Sequence, residues 1–463
     1  MHSPFFHYYD AQVIGSAALG QLVHFDSLLC SNSGQGRYRT QVKLRPDVTL
    51  VPSQIEDSDA FCLDLNHGAS EYEWSRKAEH LFGLPATLHI GIGNTSTLDN
   101  FIRFALYRCL SGLPHTGIGE SYHALDLVTT LRALLLLRPH TVSMDLDPAW
   151  SEHKFRAVLF ERHNRESRAD TVKDVFEVMA KANPKFARYA MAHSSTRMIE
   201  QKLGLVGGQI ESLTSLKPVF ICHEGLADPK RWGIYLAMGT DPHYANMVYV
   251  VDLQANLGGL LGDAGQNVNQ FIRVNPNHQE KPILRLNINR LPFVSPLSVL
   301  SPETLKLLEV DPRMIEENAK RLKMQQDLCL SLLELSMGSE VSLTADPDFQ
   351  LYGSEYLEAD KSLLKELHKH PMSAWEQFLP LAHDVRIKSL GMRLISRFAP
   401  TLLGEGDLSH WNAHCADRLV GKLSIEGIDA VLRYCIDALA TEGVPAGIRS
   451  AARHWLVTTG NRQ

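Results

Sequence analysis

The feature that most constrains the fold is the apolar stretch Phe5–Gln12, close to the start of the 463-residue chain. Its aromatic and apolar residues predict a buried β-strand. One carboxylate, Asp10, falls near the carboxyl end of that strand, where it could serve as a ligand of a divalent cation. Asp10 is therefore the first candidate site residue, and the rest of the chain can be searched for groups that complete a site around it.

Two further strand-like segments follow, at residues 22–30 and 37–44, with short polar links between them. This spacing predicts an antiparallel meander. Because side chains alternate along a strand, four basic residues of the third segment are predicted to share one face. They are Arg37, Arg39, Lys43 and Arg45. This face is either a solvated outer surface or a track for phosphate groups.

The meander is followed by a predicted helix, a strand at 88–93 and further helices, among them an apolar helix over 125–137. This order of elements is typical of an α/β ribonuclease-H-like domain. Such domains place carboxylates at the ends of the first and fourth strands and on a late helix. From about residue 204 short strands predict a small β-rich unit, and beyond about residue 346 the pattern is helical.

Composition excludes several classes of protein. The net charge of −6 argues against a protein that coats nucleic acid with its whole surface, so binding would need a local basic track. Seven scattered cysteines without a CxxC pair favour reduced thiols over disulfides or a zinc site. We find no signal-peptide pattern and no apolar run of about 20 residues, and we therefore expect a soluble, cytoplasmic protein with no membrane association.

Six stretches spread along the chain together resemble a known family. They are Phe6–Gln12, Asp99–Arg108, Asp126–Pro139, Leu286–Pro292, Asp348–Tyr352 and Asp384–Ile387. The family they resemble is bacterial exonuclease I, the single-strand-specific 3′→5′ DNA exonucleases of the DEDDh class. The resemblance implies an exonuclease-fold domain at 1–203, a small β-barrel-like domain with helices at 204–345, and an all-α C-terminal domain at 346–463. It also implies a C-shaped clamp over single-stranded DNA.

The catalytic positions depart from the family pattern. The family has Asp-x-Glu on the first strand, whereas this chain has Asp10, Ala11 and Gln12. The next family aspartate aligns with Leu98, and only a one-residue shift would bring Asp99 there; Asp99 is otherwise expected to cap a helix. The last family motif is a His five residues before an Asp. In this chain Asp174 is in place, but Ala169 lies at the position of the histidine.

These substitutions weaken the expected metal site. Two Mg²⁺ ions about 4 Å apart repel each other and need negatively charged oxygen ligands. Asp10 and Asp174, with Asp99 as a further candidate, supply too few carboxylates to hold such a pair. Loss of the histidine base removes a contribution of about 10²–10⁴ in rate. We therefore expect either no required cofactor or weak binding of one Mg²⁺ or Mn²⁺.

The predicted contacts with partners involve basic residues. For single-stranded DNA or RNA they are the basic strand face together with Arg165, Arg168 and Lys173. Exonuclease I also docks the C-terminal tail of the single-stranded-DNA-binding protein, and Arg138 matches the position suited to anchor its carboxylate.

Three functions remain open from the sequence. The favoured one is a non-cutting relative of exonuclease I that binds single-stranded nucleic acid or a DNA-repair assembly. The second is a 3′→5′ exonuclease with an altered metal site that uses Asp10, Asp174 and Asp99. The third is a structural subunit of a DNA-processing complex.

Overall fold

The computed structural model describes most of the chain. The described residues are 5–55, 60–111, 122–139, 141, 145–163, 165–207, 209–210, 212–226, 230–241, 244–262, 268–273, 281–337, 346–352, 356–421 and 423–460.

The strands, in chain order, are β1 Phe5–Ile14, β2 Gln21–Ser31, β3 Gly34–Gln41, β4 Thr87–Gly91, β5 His123–Asp126, β6 Leu205–Val206, β7 Gln209–Ile210, β8 Val219–Cys222, β9 Trp232–Asp241, β10 Tyr244–Asp252, β11 Ile283–Asn287 and β12 Phe293–Pro296. The α-helices are α1 Glu71–Phe82, α2 Asp99–Arg108, α3 Leu127–Leu137, α4 Glu152–His163, α5 Arg168–Ala182, α6 Pro184–Ala192, α7 Thr196–Leu203, α8 Gly258–Gly262, α9 Pro302–Leu307, α10 Pro312–Lys323, α11 Gln326–Met337, α12 Glu358–Leu367, α13 Trp375–Phe378, α14 Val385–Phe398, α15 Glu405–Val420, α16 Ile425–Ala440 and α17 Ala446–Gly460.

The first sheet has the strand order β3-β2-β1-β4-β5. The first three strands form the predicted antiparallel meander, and β4 and β5 join β1 in parallel. The predicted ribonuclease-H-like α/β fold is therefore confirmed. One detail was wrong: the apolar segment predicted as a helix from residue 125 begins as β5, and its helix starts only after Asp126 caps the first turn of α3.

Helices cover both faces of this sheet. Tyr8 packs with Ala169 and Val172 of α5, whereas Tyr9 and Ala11 pack with Ile102 of α2. This arrangement follows from the alternation of side chains along β1. Asp10 lies on the same face as Tyr8, beneath α5, and is fully buried.

The remaining elements form a β-rich unit and a helical unit, as the sequence predicted. The second sheet has the order β11-β10-β9-β8-β12, and all its neighbouring pairs are antiparallel. Helices α12 to α17 follow it in the chain. Among the helices in the described part of the chain, none is long and apolar enough to cross a membrane.

A buried network of ion pairs ties the first unit to the C-terminal helices. Arg397 Nη2 lies 2.6 Å from Oδ2 of both Asp47 and Asp348, and all three side chains are fully buried. Arg418 Nη1 lies 2.8 Å from the same two oxygens. Arg45, which is also buried, contacts Asp47 at 3.3 Å. Although burial opposes ionisation, these arginines hold the pKa of Asp47 well below its ordinary range.

We predict that Asp47→Asn lowers the free energy of unfolding by about 3–5 kcal/mol, because it leaves buried guanidinium groups without their carboxylate. Urea unfolding followed by circular dichroism measures this loss. Asp174→Asn is the matched control: it removes a carboxylate whose partner, Arg165, is 59% exposed, and should cost about 1 kcal/mol or less. Equal losses in the two variants would contradict the importance of the network.

Candidate functional site

Two arginines occupy the surroundings of the Asp10 carboxylate. Arg156 Nη1 lies 2.7 Å from Oδ1 of Asp10, and Arg156 Nη2 lies 3.2 Å from Oδ2. Arg168 Nε donates to the same Oδ2 at 2.5 Å. Both oxygens of Asp10 therefore accept charge-assisted hydrogen bonds, and a bidentate guanidinium contact is among the strongest such interactions in proteins.

The two arginines come from helices that pack over this face of the sheet. Arg156 lies on α4, where Phe155 and Leu159 are buried in the core, and Arg168 is the first residue of α5. The ring of Phe160 lies beside both guanidinium groups, with its centroid 5.1 Å from Cζ of Arg156 and 4.1 Å from Cζ of Arg168. Cation–π contacts of this kind stabilise both cations over the aromatic face.

The net effect on Asp10 is to keep it ionised. Burial by itself raises the pKa of Asp10, since it penalises the charged form. The positive charges and hydrogen bonds of Arg156 and Arg168 outweigh that effect, so the pKa lies below its ordinary value. The carboxylate is thus charged and buried, and both of its oxygens accept hydrogen bonds.

A second buried carboxylate lies directly opposite. Asp26 of β2 pairs with Asp10 across the antiparallel ladder. Its Oδ2 accepts hydrogen bonds from Ser167 Oγ at 2.8 Å and from the backbone N–H of Ala169 at 3.3 Å. The side chain of Ala169, at the family's histidine position, is a buried methyl group in the core.

Polar side chains border the two carboxylates on the same face. Gln12 lies opposite His24 in the ladder, and Arg39 of β3 lies opposite Asp26. Arg39 Nε donates to His24 Nε2 at 3.3 Å. Burial and the nearby charge of Arg39 lower the pKa of His24, so this ring is neutral at neutral pH.

Asp174 pairs with an arginine in this structure. It lies six positions after Arg168 on α5, about 120° from Arg168 around the helix axis and about 9 Å further along it. Its Oδ2 accepts from Arg165 Nε at 2.6 Å. The remnant metal pair of Asp10 and Asp174 stays a prediction.

Leu98 and Asp99 lie on the opposite side of the sheet. Leu98 is buried with Tyr9 and Ala11. Asp99 is 5% exposed and accepts a hydrogen bond from Tyr9 Oη at 2.5 Å. A π-helical turn, Asn94–Leu98, runs directly into α2, so Asp99 is not a helix cap either. The interpretation of Asp99 as a metal ligand beside Asp10 was wrong because Asp99 binds Tyr9, and Tyr9 and Asp10 point to opposite faces. The interpretation as a helix cap was wrong because the helix continues through Leu98.

The predicted basic face of the third strand is only partly exposed. Arg37 and Arg39 share a face and are exposed, and Arg37 Nη2 pairs with Asp170 at 2.7 Å. Lys43 is exposed beyond the end of β3. Arg45 is buried and its Nη1 lies 2.7 Å from Glu71, so its prediction as a nucleic-acid contact was wrong.

The other predicted contacts have protein partners in this structure. Arg165 pairs with Asp174, Arg168 pairs with Asp10, and Lys173 Nζ lies 2.7 Å from Glu177. Arg138, at the end of α3, is exposed and donates through Nη1 to the carbonyl oxygen of Val299 at 3.0 Å. Its role in partner binding stays a prediction.

The pair of divalent cations that the resemblance implies does not fit these side chains. Arg156 and Arg168 already bring two positive charges to Asp10, and a cation there would be repelled by both. Among the residues that the structure describes, no group of three or more His, Cys, Asp or Glu side chains is placed to hold a metal ion.

Sequence reasoning missed Arg156, Phe160, Asp26 and His24. The apolar residues of α4 do not form a clear stripe, so the helix itself was not predicted. The spacing of Arg156 and Phe160, four residues apart, would place both on one helical face if the helix were known. Asp26 and His24 could have been found from the alternation along β2, which puts them on one face of that strand.

We predict that Asp10→Asn lowers the free energy of unfolding by about 3–5 kcal/mol, because two partly buried guanidinium groups lose their counter-charge. Chemical denaturation measures the change. A carboxylate crowded by other carboxylates would behave in the opposite way, since its neutralisation relieves repulsion. A variant more stable than the wild type would therefore contradict the assigned pairing.

The difference in unfolding free energy between wild type and Asp10→Asn should depend on pH. The pKa of Asp10 in the folded state lies below its ordinary value of 3.8. The carboxylate's contribution is therefore fully present above that value and is lost as the pH falls through the lower folded-state pKa. We expect the stability difference between wild type and Asp10→Asn to be constant near neutral pH and to shrink below about pH 4. A stability difference that grows on acidification would contradict a lowered folded-state pKa of Asp10.

Two family models match parts of the chain. The exonuclease I SH3-like domain matches residues 222–335, and the exonuclease I C-terminal domain matches residues 345–442. The first match contains strands of the second sheet, and the second contains α12 to α16. The domain limits at 203 and 345 stay predictions.

Curated relatives agree with these matches. The chain is 21% identical to exodeoxyribonuclease I of Haemophilus influenzae over 369 residues, which cover 76% of each protein. It is also 21% identical over 374 residues to exodeoxyribonuclease I of Buchnera aphidicola, covering 76% of this chain and 73% of that protein.

Solved structures extend the likeness to the whole fold. Escherichia coli exonuclease I in complex with a dA16 oligonucleotide superimposes with a TM-score of 0.80 at 15% identity, over 99% of this chain and all of that one. An exonuclease I from Methylocaldum szegediense gives 0.78 at 19% identity, with 99% and 100% covered. The chain therefore contains two regions that match exonuclease I domain families, and it shares the fold of solved exonuclease I structures from end to end.

Proposed function

We propose that this protein binds single-stranded nucleic acid with the exonuclease I fold and does not hydrolyse it. The observation that carries the proposal is the pairing of Asp10 with Arg156 and Arg168. In a two-metal nuclease the corresponding carboxylate bridges or holds cations that activate water and stabilise the leaving oxygen. Here the carboxylate is bound by cations of the protein itself.

The other catalytic positions support the same conclusion. Gln12 has an amide in place of a carboxylate, Leu98 is buried on the other face of the sheet, and Ala169 has no proton-accepting side chain. Asp174 pairs with Arg165. Residues that act as one catalytic unit lose activity together, so these changes are expected to abolish turnover rather than to slow it in steps.

Binding is supported by the relatives. Exonuclease I has been solved with a dA16 oligonucleotide and with a 5cy-dT13 oligonucleotide, and this chain shares that fold over nearly its full length. Arg39 and Lys43 keep exposed positive charge on the first unit, which a phosphate backbone requires. A neutral or acidic surface in their place would argue against retained binding.

We predict a salt-sensitive mobility shift of a labelled single-stranded oligonucleotide and no shortening of it, with Mg²⁺, with Mn²⁺ or with chelator. Native and denaturing gels of the same reactions measure binding and cleavage separately. Binding should weaken steeply as salt rises, because it releases counterions from the phosphate backbone.

Asp10→Ala serves as the control for contaminating nuclease. Shortening by the wild type that Asp10→Ala abolishes would establish an active 3′→5′ exonuclease instead. A wild type that neither binds nor shortens the oligonucleotide would favour a structural subunit. Shortening that persists in Asp10→Ala would have to come from another enzyme in the preparation, and repurification would remove it.

A protein partner is the second part of this proposal. One exonuclease I structure contains the single-stranded-DNA-binding protein, SSB. We propose that Arg138 anchors the terminal carboxylate of an SSB tail here, since its guanidinium is exposed at the end of α3 and a carboxylate is its natural bidentate partner. Arg138→Ala should weaken binding of a tail peptide about tenfold, measured by fluorescence anisotropy, whereas an amidated peptide should bind both proteins equally weakly.

A further inference from the structure

We propose that Arg39, Arg156 and Arg168 form a phosphate-binding site at the position where an active family member would hold its metal ions. The ligand is a phosphate group of single-stranded nucleic acid, either an internal diester or a terminal monoester. This inference rests on the proposed function and goes beyond it, because it assigns the residues that grip the strand and the chemistry that they recognise.

The three guanidinium groups converge on one face of the sheet. Arg39 lies opposite Asp26 in the β2–β3 ladder, and Asp26 lies opposite Asp10, to which Arg156 and Arg168 bind. The charges of Arg39, Arg168, Asp26 and Asp10 all act on the His24 ring, which places these four groups around a single side chain.

The guanidinium groups outnumber the two facing carboxylates. Arg39, Arg156 and Arg168 face Asp10 and Asp26, and the neighbouring Arg37, 3.9 Å from Asp26, is balanced by Asp170. His24 is neutral and so does not change this count. An excess of guanidinium charge attracts an anion and repels the divalent cations that the fold would otherwise hold.

The three guanidinium groups are accessible, and two of them are held in place. The side chains of Arg156 and Arg168 are 15% and 22% exposed, and Arg39 is exposed. The guanidinium group of Arg39 has five N–H donors, of which Nε–H is directed at His24 Nε2. Asp10 and the ring of Phe160 fix Arg156 and Arg168 in place, so little side-chain entropy is lost when an anion binds.

These properties explain how a strand can be held without being cut. Arginine binds phosphate oxygens in a planar, bidentate geometry and stays protonated. It offers no coordination position at which water could be activated as a nucleophile, which is what a metal ion supplies. The site can therefore replace the binding role of the metals and leave out their catalytic role.

The test compares variants by fluorescence anisotropy in the presence of a chelator. We expect Arg39→Gln to weaken binding of a labelled oligonucleotide about tenfold, the effect of one lost charge-assisted hydrogen bond, and to lower the salt dependence by about one phosphate contact. Arg188→Gln is the matched control: Arg188 is likewise exposed, and its Nε donates to the backbone carbonyl of Pro184 at 3.3 Å, so the affinity should not change.

Arg168→Lys provides a second variant that keeps the charge but loses the planar geometry. We expect it to weaken binding as well, and thermal unfolding checks that each variant is folded. Inorganic phosphate should compete with the oligonucleotide on the wild type and less effectively on Arg39→Gln. Oligonucleotides with a 3′-phosphate, a 5′-phosphate or neither show which phosphate is bound. If the site binds a terminal monoester, a terminal phosphate raises the affinity of the wild type but not that of Arg39→Gln. If it binds an internal diester, Arg39→Gln weakens binding of all three oligonucleotides equally.

The outcomes separate this inference from the proposed function. If the wild type binds oligonucleotide but folded Arg39→Gln and Arg168→Lys bind as tightly as Arg188→Gln, the phosphate site is wrong and the proposed function stands. If the wild type does not bind the oligonucleotide, both the phosphate site and the proposed function are wrong. If it binds and also shortens the strand in Mg²⁺, the absence of hydrolysis is wrong, and the variants still decide the phosphate site.

Discussion

A carboxylate buried in a sheet has to be matched by positive charge, and the identity of that charge decides what the site around Asp10 can do. Asp10 and Asp26 lie opposite each other on one face of the first sheet and are both fully buried. Two negative charges on directly opposite residues of neighbouring strands would repel each other strongly. Arg156 and Arg168 compensate Asp10, while Ser167 and the backbone of Ala169 donate to Asp26.

The same scaffold therefore supports two kinds of chemistry. Metal ions and guanidinium groups both neutralise a carboxylate and both bind phosphate, so exchanging one for the other leaves the fold intact. Only the metal ions lower the pKa of bound water and stabilise a leaving oxygen. In the function that we propose, guanidinium groups fixed by Phe160 take the place of the metal ions, and the strand would be held without being cut.

A second set of buried charges has a purely structural consequence. The network of Asp47, Asp348, Arg397 and Arg418 joins residues that are up to 371 positions apart. Such a network is strongly destabilised by the loss of one member, because the others remain buried without compensation. It fixes the C-terminal helices against the first unit, so the surfaces that these two units contribute keep a constant relation to each other.

The sequence by itself determined the alternation of β1, the meander, the fold class and the positions at which the chain departs from the pattern of the family that it resembles. These are local properties, set by side-chain periodicity and by residue type. Only the tertiary structure decided which groups surround Asp10. Arg156 and Arg168 are 146 and 158 residues away in the chain, and their approach depends on how α4 and α5 dock on the sheet. Packing likewise buries Arg45 against Glu71, since the orientation of a helix or loop against its neighbours is not set by sequence spacing.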